Sequence, residues 1–279
     1  MIQSLGVSDT HNRNDSTMDQ ITPRSPALLA EQPDFVTALA RGLAVIRALG
    51  EDGQPATLAE IARRVGLARA TVRRSLITLE TLGYVENVGR IFALTPKVLS
   101  LGYSYLSSIP LARASKPRLE EVSATLNASC GTAILDGDDV VMLVRVLVDR
   151  VIKPDTPPGI RLPAYCTATG RMLLSYETDD AIDRYLARKK LAPLTSKTET
   201  DPGKIRTLII ECRANGYAFQ SEQSCLGIQA ITVPIENAQR RVVAALNVTT
   251  PVERGSKDEI LEHFLPLLRK KAQEVSRVL

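Results

Sequence analysis

The sequence predicts an α+β protein: an N-terminal winged helix-turn-helix, a linker helix, and a C-terminal α+β domain built on an antiparallel sheet. Three observations predict it. Over residues 35–92, apolar residues recur at helical spacing and then as two short runs around a polar turn. A short apolar stretch that starts at Pro96 and is stopped by Pro110 separates two differently patterned halves. From Cys130 onward, short β-rich runs alternate with helical segments.

The chain has 279 residues, long enough for each half to bury its own core. Residues 1–32 are polar, rich in Ser, Thr, Asn, Asp and Pro, and carry no sustained period, which predicts a disordered tail. The first domain is expected over 33–95. Asp34 is placed to cap its first helix, with Phe35, Leu39, Leu43, Ile46 and Leu49 on one face and Gly50 as the stop. Thr57 to Glu60 reads as a capping box, in which the Thr57 hydroxyl accepts from the Glu60 amide and the Glu60 carboxylate returns the bond. Leu58, Ile61, Ala62 and Val65 form the inner face of this second helix, and Gly66 ends it. After a short turn, a third helix turns Val72, Leu76, Leu79 and Leu82 inward and closes at Gly83. Tyr84-Val85 and Ile91-Phe92 then flank a turn, Glu86 to Arg90, as in a small hairpin.

Helix, helix, tight turn, helix, hairpin is the order of a winged helix-turn-helix. A three-helix bundle that binds nothing would share it, so charge placement decides. Between Arg63 and Arg74 stand five arginines, Arg63, Arg64, Arg69, Arg73 and Arg74, and no acid. On a wheel anchored at Leu76, the residues Ala70, Thr71, Arg74 and Ile77 point away from the core, with Arg73 on the flank. A recognition helix needs small or hydrogen-bonding residues near its N-terminus and cations to hold phosphates. The candidate contacts to double-stranded operator DNA are therefore Arg64, Arg69, Ala70, Thr71, Arg73 and Arg74, with Arg90 in the hairpin turn. The linker helix, 96–110, is mostly apolar through Val98, Leu99, Leu101, Gly102, Tyr105 and Leu106. Such a helix either packs on its own domain or pairs with a copy, so a homodimer or homotetramer is expected.

Composition excludes several classes. The net charge of +4 permits nucleic-acid binding without requiring it. The four cysteines and two histidines show no metal-ligand spacing, so no metal is expected and the cysteines read as reduced core residues of a cytoplasmic protein. No apolar run is long enough to span a bilayer, and the N-terminus lacks the features of a secretory signal. Cys166 and Cys225 are conceivable nucleophiles, but neither has a histidine placed beside it. With no Gly-x-Ser-x-Gly elbow and no phosphate loop either, neither catalysis nor a cofactor is expected.

In the second domain, 111–279, one stretch reads LPAYCTATGRMLLS. There Thr167 or Thr169 can cap a helix whose first amides, Ala168, Thr169 and Gly170, make an anion site. The same small residues would equally permit close packing on the sheet. Gln220 ends one strand, Ile228 and Ala230 share a face of the next, and Asn247 and Thr249 share a face of the last. A few polar groups in apolar walls suit a small-ligand pocket, although edge residues facing water would give the same pattern. Arg145, in the strand VVMLVRVLV, is either edge-facing or the counter-ion of a bound acid. Arg171 faces a ligand, solvent or a carboxylate such as Glu222.

Taken in order, LARGLAVIRAL, TLAEIARRVGLARATVRRSLITLETLGYV, LTPKVLSLGYSYLSS, LPAYCTATGRMLLS, GYAFQSEQSCLGIQAITVPI and AALNVTT resemble the IclR family of bacterial regulators. The resemblance runs from about Asp34 to Leu279. Within the family, PDFVTALARGLAVI and RLPAYCTATGRMLL look most like the subgroup that controls protocatechuate, 4-hydroxybenzoate and β-ketoadipate catabolism. It implies a ligand-responsive transcriptional regulator of an aromatic-acid catabolic operon, or of another carbon-source pathway. It implies a GAF-like second domain with the effector, an aromatic or dicarboxylic acid, on one side of the sheet. It matches Ala168, Thr169, Gly170, Gln220, Ile228, Ala230, Asn247 and Thr249 to effector contacts. It also implies dimers formed through the DNA-binding domain and linker. One departure stands out: many members carry Ser where this chain has Ala70, so no polar contact is credited there.

Overall fold

The structure, a computed structural model, describes residues 34–50, 53–148 and 158–279. The tail expected over 1–32 lies outside them. The described residues form two compact units, one ending at Ile109 and the other running from Pro110 to Leu279.

The first unit is α1 (Thr37–Gly50), β1 (Ala56–Thr57), α2 (Leu58–Val65), α3 (Arg69–Thr81), β2 (Val85–Val88) and β3 (Ile91–Leu94), followed by a 3-10 turn and α4 (Leu99–Ser108). Helix α1 starts at Thr37, so Asp34 does not cap it. It buries Val45, Ala48 and Leu49, whereas Leu39 and Leu43 of the expected inner face are exposed. A core this small reaches only the C-terminal half of α1. Thr57 caps α2 in a full capping box, with its amide 2.8 Å from Glu60 Oε2 and its Oγ1 3.4 Å from the Glu60 amide. Gly66, left-handed at φ 65°, ends α2. Helix α3 buries Val72, Leu76 and Leu79; Leu82, expected inside, is exposed because it sits at the cap beyond the last turn.

The hairpin gains a third strand that periodicity had not shown. β1 pairs with β3, giving the order β1-β3-β2. At its tip Gly89 and Arg90 both have positive φ, 59° and 79°, as a two-residue type I′ turn requires. Arg90 thus holds a conformation that costs a non-glycine residue about 1 kcal/mol or more. Leu99, Leu101, Tyr103 and Tyr105 of α4 are exposed, Leu99 by 70% and Tyr103 by 71%. The side chain of Leu106 lies outside the described residues.

The second unit comprises α5 (Pro110–Leu126), β4 (Ser129–Asp136), β5 (Asp139–Val146), β6 (Arg161–Pro163), α6 (Ala168–Leu174), α7 (Asp179–Arg188), α8 (Pro202–Asn215), β7 (Ala218–Ser221), β8 (Ile228–Glu236), β9 (Val242–Pro251) and α9 (Lys257–Ser276). Six strands form one antiparallel sheet in the order β6-β5-β4-β9-β8-β7. Helices α5 and α9 pack together and on β4, β5 and β8. Helices α6, α7 and α8 pack a separate core, in which Met172, Leu174, Ile182, Tyr185, Ile205 and Ile209 meet Ala133, Met142, Ala230 and Ala245 of the strands. The small strand residues on that face leave room for α6 to lie close to the sheet.

All of α6 is buried. Thr167, not Thr169, caps it, its Oγ1 accepting from the Gly170 amide at 3.0 Å. A Cβ on Gly170 would fall 2.2 Å from the carbonyl oxygen of Ala164. That contact is backbone and cannot swing aside. Gly170→Ala should therefore destabilise the protein by about 1–3 kcal/mol or more, as overpacked cores do. The check is the urea midpoint at unchanged slope; an unchanged midpoint would mean that α6 is not seated by this contact.

Candidate functional site

In the first unit, α2, the turn Gly66-Leu67-Ala68 and α3 form the helix-turn-helix. Arg69, Ala70, Arg73 and Arg74 are exposed on α3, Thr71 is half-buried, and Arg90 is exposed at the wing tip. Thr71 and Arg74 border a groove between α1 and α3 that Leu39 and Leu43 also line. Arg64 is half-buried and donates Nη1 to the Ala48 carbonyl at 3.0 Å. Ala48 is in the last turn of α1, where carbonyls have no helical partner and a cation is favoured. Arg64 thus ties α2 to α1, a structural role that the charge pattern alone did not reveal.

In the second unit, a cavity of about 90 Å³ opens between the sheet and the start of α6. Its floor follows from strand register. Arg145 on β5 pairs with Gly131 on β4, Gly131 with Asn247 on β9, and Asn247 with Thr232 on β8. Paired residues share a face, so this row projects toward α6, where Thr169 Oγ1 lies 3.4 Å from Thr232 Oγ1. One step along, Thr249 pairs with Ala230 and Ala230 with Gln220. Arg145 reaches across β4 to donate Nη2 to Thr249 Oγ1 at 2.9 Å. Gly131 leaves that path open: a Cβ there would lie 2.7 Å from the Val144 carbonyl oxygen and 3.2 Å from Asn247 Oδ1. Asn247 is 4% exposed, and its Oδ1 is buried without a hydrogen-bond partner. Such a group costs about 1–3 kcal/mol unless something meets it.

Ala168, Thr169, Gln220, Ile228, Ala230, Asn247 and Thr249 all line this cavity; Gly170 does not. Its amide is taken by Thr167, so Gly170 serves close packing and the expected row of three free amides is incomplete. Gln220 is in the wall, but its carboxamide is engaged: Oε1 accepts from the Gln223 amide at 2.9 Å and Nε2 donates to Ser224 Oγ at 3.3 Å. Arg145, left open by the sequence, belongs to the cavity. Its signal was a lone cation within an apolar strand. Thr167, the cap of α6, also lines it, as do Leu194 and Ser224, which had no sequence signal because loops far apart in the chain bring them there.

Arg171 meets neither solvent nor Glu222. It is 2% exposed and donates Nε to the Tyr165 carbonyl at 2.7 Å and Nη2 to Gln223 Oε1 at 2.5 Å. Burial holds its pKa below the usual arginine value. Glu222 pairs with Lys197 instead. Three of the cysteines are core residues as expected, while Cys225 lines the cavity. Burial pushes the Cys130 thiol up to about 12 and those of Cys166 and Cys212 to about 11, so each is a protonated thiol and a poor nucleophile. Among the described residues, no group of His, Cys, Asp and Glu is placed to hold a metal ion, and no helix is long and apolar enough to cross a membrane.

Comparison with known proteins matches both units to known domains. Residues 38–89 match the IclR helix-turn-helix domain, and residues 103–277 match the bacterial transcriptional regulator IclR C-terminal domain. The chain is 44% identical over 237 residues to the Pca regulon regulatory protein of Pseudomonas putida, covering 85% of this chain and 81% of that protein. It is 33% identical over 247 residues to the p-hydroxybenzoate hydroxylase transcriptional activator of Acinetobacter baylyi, covering 87% of this chain and 91% of that one. A solved structure of the inducer-binding domain of the PobR transcription factor from Acinetobacter, a double mutant in complex with 3-hydroxybenzoic acid, is 29% identical. It covers 60% of this chain and 98% of that one, at a TM-score of 0.57. The relatives are named as regulators rather than enzymes, and this chain belongs to the IclR family of bacterial transcriptional regulators.

Proposed function

We propose that this regulator binds a palindromic operator through α3 and the wing, and that a one-ring aromatic monocarboxylate in the cavity above the sheet tunes that binding. The DNA-binding unit is 33–95, the linker 96–110 and the effector domain 111–279. The protein acts in the cytoplasm on an operon for aromatic-acid catabolism. The observation that carries the effector reading is Arg145: a guanidinium held by Thr249 at one end of a mostly apolar cavity. Guanidinium and carboxylate match in charge and in hydrogen-bond geometry. The cavity's size limits the ligand to one ring: it is about 90 Å³, below the roughly 150 Å³ that holds a benzene, so it must widen to take the acid. Among the described residues that line it, Arg145 is the one cation, which disfavours a dicarboxylate. The likeness to an activator of p-hydroxybenzoate hydroxylase and to an inducer-binding domain holding a hydroxybenzoic acid points the same way.

In this scheme Arg145 and the Asn247 Nδ2 amide donate to the carboxylate, Ile228 and Ala230 lie under the ring, and Ala168 and Thr169 cover it. The effector acts by binding one arrangement of the regulator more tightly than another. Arg69, Arg73, Arg74 and Arg90 supply phosphate and base contacts, with Ala70 and Thr71 at the start of the recognition helix. Exposed Leu99, Leu101 and Tyr103 on α4 are more apolar surface than a monomer leaves in water, and a second copy covers it.

Three outcomes are expected. Arg145→Met should weaken 4-hydroxybenzoate binding by about 1.5–3 kcal/mol in calorimetry, the worth of hydrogen bonds to a charged group; an unchanged dissociation constant places the acid elsewhere. Arg74→Ala should cost about 1–3 kcal/mol of operator affinity at matched salt if it reads a base edge, and no loss with the fold intact by circular dichroism removes it from the DNA surface. Light scattering at micromolar concentration without DNA should return the mass of a dimer or tetramer. A monomer mass would leave the apolar face of α4 unexplained.

A further inference from the structure

We infer that Ser224 reads a second, uncharged polar group at the far end of the effector, and that Gln220 is the positioning residue that aims the Ser224 hydroxyl. This rests on the aromatic-acid reading and adds a specificity device to it.

The cavity has two polar ends. Arg145, Asn247 and Thr249 sit over β4 and β9; Ser224 and Gln220 sit at the β7 edge. Thr249, Ala230 and Gln220 are direct partners on three adjacent strands, so the two ends are two strand spacings apart, about 10 Å. That is the scale of one benzene ring with a polar group at each end. Between them lie Ile228, Ala230 and Leu194, all apolar.

The chemistry of the far end follows from its hydrogen bonds. Ser224 Oγ accepts from Gln220 Nε2 at 3.3 Å. A serine hydroxyl has one proton and two lone pairs, so with one lone pair given to Gln220 the proton is left for another acceptor, and Ser224 lines the cavity where a ligand would supply one. Gln220 cannot swap its amide ends, because its Oε1 is fixed as an acceptor by the Gln223 amide at 2.9 Å. Gln223 is fixed in turn. Its Oε1 accepts from buried Arg171 at 2.5 Å and from the Glu199 amide at 3.3 Å, and its carbonyl accepts from Thr198 Oγ1 at 2.6 Å. The glutamines therefore relay a fixed donor direction from a buried cation to one pocket hydroxyl. That end offers a neutral donor and acceptor and no cation, which suits a phenolic hydroxyl and rejects a second carboxylate.

The test is calorimetry on the full chain with benzoate and 4-hydroxybenzoate. Wild type should prefer 4-hydroxybenzoate by about five- to ten-fold, the value of one neutral hydrogen bond. Ser224→Ala should bring the two ligands within about two-fold of each other by weakening only 4-hydroxybenzoate. Gln220→Met keeps side-chain length, loses the amide, and should shrink the preference in the same direction by a smaller factor. A merely structural role would weaken both ligands together. Equal loss on both, or an undiminished preference in Ser224→Ala, overturns the inference while leaving the aromatic-acid reading standing. If neither ligand binds wild type, that reading falls and the inference falls with it.

Discussion

The register of β4 against its two neighbours is the constraint on which the effector domain depends. It sets Arg145, Gly131 and Asn247 in one row on one face. A slip of one residue would turn that row over, because side chains alternate with a period of two. Arg145 would then face the apolar core beneath α5 and α9, where a guanidinium has no place. Gly131 is part of the same constraint. Its missing side chain lets a strand arginine cross its neighbour and bond to Thr249 two strands away. The cavity is thus a gap in an otherwise packed layer, bounded by the one glycine of the row and by a helix held down at another.

That helix, α6, lies against the chain at Gly170 and is anchored at its middle by Arg171. Burying a guanidinium is costly unless its donors are met. Here they go to the Tyr165 carbonyl and to the turn that carries Gln223. Segments before α6 and after β7 are therefore tied through one cation. The loop before α8 joins them, with Thr195 Oγ1 donating to the Glu222 carbonyl at 2.7 Å and Thr198 Oγ1 to that of Gln223. Glu222, at a positive φ of 58°, takes a strained conformation within this network. Strain of this kind persists only where surrounding contacts over-determine it, and here the surroundings form the rim of the ligand cavity.

The DNA-binding unit solves a different problem with fewer residues. Its core is a short list, including Val45, Leu49, Ile61, Val72, Leu76 and Val85, and its helices are short. Local devices compensate: a capping box on α2, a left-handed glycine at its end, and Arg64 closing the end of α1. Arg64 shows that one residue can belong both to a basic surface and to the scaffold beneath it. The other arginines of the run, from Arg69 to Arg74, remain exposed on α3 and are the better candidates for phosphate contact.

What the sequence determined by itself is what short-range physics records. Capping residues, helical spacing and turn glycines marked α2, α3 and the wing, and β-rich runs marked β4, β5, β8 and β9. Alternation along a strand was enough to put Asn247 beside Thr249 and Ile228 beside Ala230. What only the tertiary structure decided were the relations between distant segments. Arg145 joined the cavity because β4 lacks a side chain at Gly131 and β9 offers Thr249 beyond it. Gly170 became a packing contact because Ala164 lies directly against it, and its amide goes to Thr167 instead of the cavity. Ser224 and Leu194 entered the wall because two loops are hydrogen-bonded together there. The exposure of Leu39 and Leu43 likewise depended on how far a small core extends along α1. Periodicity states which residues share a face; it does not state what that face meets, since that depends on strand order and on segments that no local pattern connects.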